Sequence, residues 1–155
     1  MDFRITGLSA NEFAHLAGAS EERLRELGVQ RTRIDSPHSA PDRISLRDAE
    51  PGETVLLLNY EHLPVDSPYR SRHAIYVIEG EQRTFDAVNE VPDVMRRRML
   101  SLRAFDAKGA MIDADLSDGR EVEGLIERLL GNPRTAYVHA HYAKRGCYAA
   151  RIERA

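Results

Sequence analysis

The chain opens on a strict alternation, Phe3-Arg-Ile-Thr6, and a period of two predicts a short strand. The period then lengthens. Ser9-Ala-Asn-Glu12 has the Ser-x-x-Glu spacing in which Ser accepts from an early backbone N–H and Glu reaches back, so a helix is expected from there to Gly18. A second short helix is expected after a Ser20 cap, with Leu24 and Leu27 on one face and Gly28 closing it in a left-handed conformation. From residue 29 the pattern returns to short apolar runs bounded by Pro, Gly and Asp, which predicts strands at 29–34, 43–46, 54–60 and 73–78. Glu50-Pro-Gly-Glu53 fits a type II turn, Pro fixing φ at its second position and Gly taking positive φ at its third, and makes 43–46 and 54–60 antiparallel neighbours. A further hairpin is expected where strands 99–105 and 110–116 flank Asp106-Ala-Lys-Gly109. Asp118-Gly-Arg-Glu121 has capping-box spacing and opens a longer helix near 119–130, whose Val122, Leu125, Ile126 and Leu129 share a face; Gly131-Asn-Pro133 ends it. Most strands are joined by turns too short for a parallel crossover. The expected architecture is α+β: one domain over residues 1–155, a largely antiparallel sheet, two short N-terminal helices and one longer helix.

The last two strands carry a concentration of chemistry, His139-Ala-His-Tyr-Ala-Lys-Arg-Gly-Cys147, with two of the six histidines and the one cysteine. Residues two apart in a strand face the same way, so Tyr137, His139 and His141 share a side. Whether Cys147 joins them depends on the loop. A three-residue Lys144-Arg145-Gly146 loop, with Gly in the αL position, pairs His141 with Ala149 and His139 with Arg151. One face then holds Tyr137, His139, His141, Cys147 and Arg151, and the other Val138, Ala140, Tyr142, Tyr148, Ala150 and Ile152. A shift of one residue would move Cys147 across. His139, His141 and Cys147 are therefore the catalytic candidates. Three such side chains match the ligand count of an open zinc site but not the spacing of a zinc motif, and no metal or other cofactor is assigned.

The connection Glu61-His-Leu-Pro-Val-Asp-Ser-Pro-Tyr-Arg-Ser-Arg72 is long for an ordered loop without secondary structure of its own, and long loops are often binding loops. Asn59, His62, Tyr69, Arg70 and His73 form a donor-rich set around it, with Arg70 suited to a bidentate contact with carboxylate or phosphate. Asp113 and Asp115 share a face of their strand, and Arg103 on the preceding strand is placed to neutralise one of them. The ligand-binding candidates are thus Asn59, Tyr69, Arg70, His73, Arg103, Asp113 and Asp115. Asp-x-Asp-x-x-Asp-Gly is not an EF-hand: the third Asp and the Gly each arrive one residue late, and no Glu stands at the twelfth position.

Composition narrows the classes. The chain has 155 residues, 42% hydrophobic and 30% charged, as expected of an ordinary globular domain rather than a disordered tail. A net charge of -3 with both signs scattered argues against nucleic-acid binding, and Arg96-Arg97-Arg98 lacks interleaved aromatics. No apolar run approaches the ~20 residues of a membrane helix, and a chain with neither a leader nor a disulfide is expected in the cytoplasm, not at a membrane.

Five blocks carry a resemblance: Arg43-Ile-Ser-Leu-Arg-Asp-Ala-Glu-Pro-Gly-Glu53, Leu56-Leu-Leu-Asn-Tyr-Glu61, Ser67-Pro-Tyr-Arg70, Leu100-Ser-Leu-Arg-Ala-Phe-Asp106 and Arg145-Gly-Cys-Tyr-Ala149. Together they resemble the bacterial family of domains of unknown function DUF1203. The resemblance implies a bacterial single-domain protein and supplies no reaction, cofactor or site residue. The functional expectation comes from the residues: a small polar or anionic ligand held between segment 59–73 and the polar face of the closing hairpin. Arg70 would anchor it, Asn59 and Tyr69 orient it, and His139 or His141 handle a proton if the protein is an enzyme. The alternatives are a non-catalytic interaction module and, behind it, a His/Cys metal site. Oligomeric state is not indicated.

Overall fold

The computed structural model describes residues 1–155 and is α+β, built on two antiparallel sheets. The larger sheet has the order β5-β1-β9-β8-β6-β7, from β1 (Phe3–Thr6), β5 (Asp86–Val88), β6 (Met99–Phe105), β7 (Met111–Asp118), β8 (Tyr137–Tyr142) and β9 (Tyr148–Arg154). The smaller is β2-β3-β4, from β2 (Gln30–Arg33), β3 (Thr54–Leu63) and β4 (Ser71–Ile78). Three helices complete the chain: α1 (Glu21–Glu26), α2 (Asp93–Arg96) and α3 (Val122–Gly131).

Each sheet position is explained by what its two faces touch. Leu100, Leu102 and Ala104 of β6 and Val138, Ala140 and Tyr142 of β8 join Val122, Ile126, Leu129 and Leu130 of α3 in a core cluster of 19 buried residues. The helix forms where its spacing predicts, but Asp118 caps a 3₁₀ turn, Gly119–Glu121, by accepting from the Arg120 N–H; the reciprocal bond from Glu121 is not made and α3 itself has no side-chain cap. The alternate residues of β8 point the other way and are buried as well, because the small sheet's Leu56, Leu58, Ile75 and Val77 head a second cluster that continues into the histidines described below. Burial on both faces is why no residue of β8 is exposed, its two alternating histidines included.

Three expectations are corrected. The 43–46 segment is not a strand: only isolated bridges, Pro41 to Asp48 and Asp42 to Tyr76, occur there, and Leu46 takes positive φ. Buried Asp42 explains this, since its carboxylate accepts from Ser45 N, Ser45 Oγ and Ile78 N, a local alternative to ladder pairing. The neighbours of β3 are instead β2 and β4. The helix expected from Ser9 is two 3₁₀ turns, Ala10–Glu12 and Ala14–Leu16, and Ser9 makes no side-chain cap bond. Glu12 is drawn away to the Tyr60 hydroxyl, so the reciprocal cap is lost. The long connection is shorter than expected, because β3 runs to Leu63 and β4 starts at Ser71.

Candidate functional site

The site is built by continuing two alternations until they meet. In the small sheet Leu58 pairs with Ile75 and Tyr60 with His73, so the face that begins with Leu56 and Val77 ends with His73 and, past a bulge between Tyr60 and Leu63, with His62. In the large sheet Arg103 pairs with His139 and Ser101 with His141. These faces oppose each other. His62 stacks on His73 at 4.8 Å between centroids and on Tyr148 at 5.0 Å, and meets His141 edge-on at 5.1 Å. His73 also meets His141, at 5.3 Å, and His139 meets Tyr148, at 4.9 Å. His62, His139 and His141 are 8%, 3% and 0% exposed, a depth histidine seldom reaches without a partner.

The closing hairpin sets which residues enter this space. Gly146 N–H donates to the Tyr142 carbonyl and Tyr142 N–H to the Cys147 carbonyl, so residues 143–146 form a four-residue loop with Gly146 at φ 81. The expected loop was one residue shorter, and the difference exchanges Tyr148 for Cys147. A bulge then restores the predicted pairing of His139 with Arg151. Tyr148 therefore faces the histidines, and Cys147 lies on the opposite side against the α3 core, with Arg43 Nη2 3.1 Å from its Sγ. The carbonyl of Tyr148, next to the bulge, accepts from buried Arg43 Nε at 2.8 Å.

The proton positions follow from the partners. His141 Nδ1 is 2.9 Å from the Gly146 carbonyl, which only accepts, so Nδ1 carries hydrogen and Nε2 presents a bare lone pair. Nε2 is buried without a partner, as are His62 Nδ1 and His139 Nδ1. His62 Nε2 is 2.7 Å from His73 Nδ1. Burial pushes His141 down to about 2, His139 to about 3 and His62 to about 4, with the positive charge of Arg103 adding to each; His73 moves the same way. Each of these shifts favours the neutral ring at pH 7. The other charges acting on them are the guanidiniums of Arg43 and Arg151, and no carboxylate is among them.

Arg103, paired with His139 across the ladder, stands at the edge of this centre. It is half-buried and its one polar contact is Nε to Ser101 Oγ at 3.3 Å, with no carboxylate partner.

Of the residues expected to bind, His73, Arg103, His139 and His141 converge. The others lie elsewhere, for reasons of parity. Asn59 is on the outer face of β3 and accepts from Arg72, while Arg70 is exposed and pairs with Glu61. Tyr69 is 41% exposed. Asp113 and Asp115 sit opposite Ala104 and Leu102, on the helix side, where Arg128 of α3 pairs with both. Arg103 neutralises neither. Two residues of the site were not among the candidates: His62, counted in the donor-rich set but set in a loop, and Tyr148, set on the core face. The signal for His62 was present: Leu56, Leu58 and Tyr60 alternate directly into it. The open cleft of about 780 Å³ between Ser45–Pro51 and Glu90–Arg97 contains none of this chemistry, and its Arg47 and Asp48 are already paired with Glu53 and Arg98.

The description "Protein of unknown function (DUF1203)" matches residues 39–154. The chain belongs to the DUF1203 family. No curated protein and no solved structure matches it. Every residue of the histidine centre in this DUF1203 chain falls inside the matched span, as do Arg103 and the Gly146 loop, whereas β1 and α1 precede it. No helix of the DUF1203 chain is long and apolar enough to cross a membrane.

Proposed function

We propose that the protein binds a small polar or anionic ligand at the histidine centre, with Arg103 as its anchor in place of the expected Arg70. The observation that carries the reading is a half-buried guanidinium without a carboxylate partner, beside four neutral imidazoles. A unit anion 4 Å from that guanidinium gains on the order of 4 kcal/mol at an effective dielectric of 20. Arg70, by contrast, already has Glu61 and stands in solvent, where an ion pair is worth about 1 kcal/mol or less.

Proton transfer by His139 or His141 fits less well. A general base works best when its pKa lies near the working pH, and rings pushed to about 3 and about 2 are far weaker bases than that. The neutral rings are better suited to donating a hydrogen bond or a lone pair. A cytoplasmic setting is part of the same reading, supported by a single unpaired cysteine where secreted domains of this size commonly carry disulfides.

Histidine ring NMR shifts during titration with inorganic phosphate, and separately acetate, test the proposal. Saturable shifts are expected in wild type and in Arg70→Met, and weakening of about tenfold or more in Arg103→Met. Equal binding in wild type and Arg103→Met, or dependence on Arg70, would overturn it.

A further inference from the structure

We infer that His62, His139 and His141 form a three-nitrogen site for a divalent transition metal of the zinc or cobalt class, braced from behind by His73. The inference deepens the reading above and rests on it for one element, the anion that occupies the metal's open position.

Three observations converge. One ring nitrogen from each of the three residues lies within 4.8 Å of the others. Each residue also has a buried ring nitrogen with no hydrogen-bond partner, a cost of about 1–3 kcal/mol apiece unless something fills the space. The back sides of two rings are held as metal-ligating histidines usually are: His141 Nδ1 by the Gly146 carbonyl and His62 Nε2 by His73.

Geometry and chemistry then select the ion. An equilateral triangle of side 4.8 Å has its centre about 2.8 Å from each corner, so zinc–nitrogen bonds of about 2.0–2.1 Å require each ring to move inward by about 0.7 Å. Side-chain rotation supplies that. Three nitrogen donors without a carboxylate do not suit calcium or magnesium, which take oxygen ligands. The charges of Arg103, Arg43 and Arg151 oppose a bare dication, so the bound state carries an anion on the fourth position beside Arg103. A single trapped water is the rival occupant, since it too would satisfy the bare nitrogens.

The site would join the two sheets, because His62 stands on β3 and His139 and His141 on β8. Cobalt(II) and zinc titrations of protein stripped with EDTA provide the test. One equivalent of cobalt with the intense visible bands of tetrahedral coordination is expected, together with a rise in melting temperature. His139→Leu should abolish both while melting no lower than wild type in EDTA, because it removes a buried nitrogen that has no partner; its unimpaired fold is the control. His73→Phe should weaken the metal by about 10- to 100-fold. Absence of stoichiometric metal, or binding that survives His139→Leu, would overturn the inference. The two proposals fail separately. Phosphate binding that needs Arg103, together with no stoichiometric cobalt, sinks this one alone, and cobalt binding indifferent to phosphate and to Arg103→Met sinks only the anion reading.

Discussion

Arg43 shows how one side chain can hold a site it does not enter. It is 1% exposed, and no carboxylate accompanies it; instead Nε, Nη1 and Nη2 reach Tyr148 O, Pro41 O and Cys147 Sγ, with the guanidinium 5.0 Å from the Tyr142 ring centroid. These contacts diverge from a planar fork, a geometry that lysine does not reproduce. Arg43→Met keeps the stem and strips the donors, leaving two inward-facing carbonyls unpaired. Urea unfolding is expected to show a loss of about 2–4 kcal/mol. A change under 1 kcal/mol would mean that water replaces the guanidinium. Arg103 is the contrasting residue: equally cationic, half-buried and without a carboxylate partner, which is why the proposed ligand is placed beside it and not beside Arg43.

At the level of elements, the turn into α3 is fixed by a close approach. A Cβ on Gly119 would fall 1.8 Å from the carbonyl oxygen of Met95, at the end of α2, and Gly119 N–H donates to the Arg98 carbonyl. Gly124, inside α3, has nothing within 4 Å of its would-be Cβ. The same substitution therefore has opposite signs five residues apart. Gly119→Ala is expected to destabilise by about 2–4 kcal/mol, and Gly124→Ala to stabilise by about 0.5–1 kcal/mol through helix propensity. Denaturant midpoints for the pair check both, and matching shifts would refute the steric account. The β8–β9 hairpin follows similar logic: its loop length and bulge decide which side chains face the histidines.

For the whole molecule, two sheets meeting through histidines create an acid sensitivity in the metal-free protein. The folded values of His62, His139 and His141 lie below the ordinary value near 6.5. In that window the unfolded chain binds more protons, so stability is full above about pH 6.5 and falls as the pH drops toward 4, by at most about 1.4 kcal/mol per pH unit for each histidine. Glu53, held down to about 2 by Arg47, adds loss below the ordinary carboxylate range. Asp42 works in the opposite direction, since burial raises it. Urea midpoints of EDTA-treated protein should fall steadily from pH 7 to pH 5. A flat profile would show that the rings are hydrated and not buried as a group.

The sequence by itself determined the local matters: the α+β class, the Ser20 and Asp118 caps, the turns at Gly52 and Gly109, the apolar face of α3 and the shared face of His139 and His141. Each depends on spacing within one element or on the backbone freedom of one residue. It did not determine that 43–46 folds around a buried carboxylate, that Ser9 loses Glu12 to Tyr60, or that Asp113 and Asp115 belong to Arg128. Those outcomes turn on partners 13 to 48 residues away along the chain. The candidate site shows the same division. Period two placed two histidines together, but a four-residue loop at 143–146 exchanged Cys147 for Tyr148, and the packing of β3 and β4 against β8 brought in His62 and His73. A strand's alternation specifies which residues share a face; only the tertiary structure decides what that face meets.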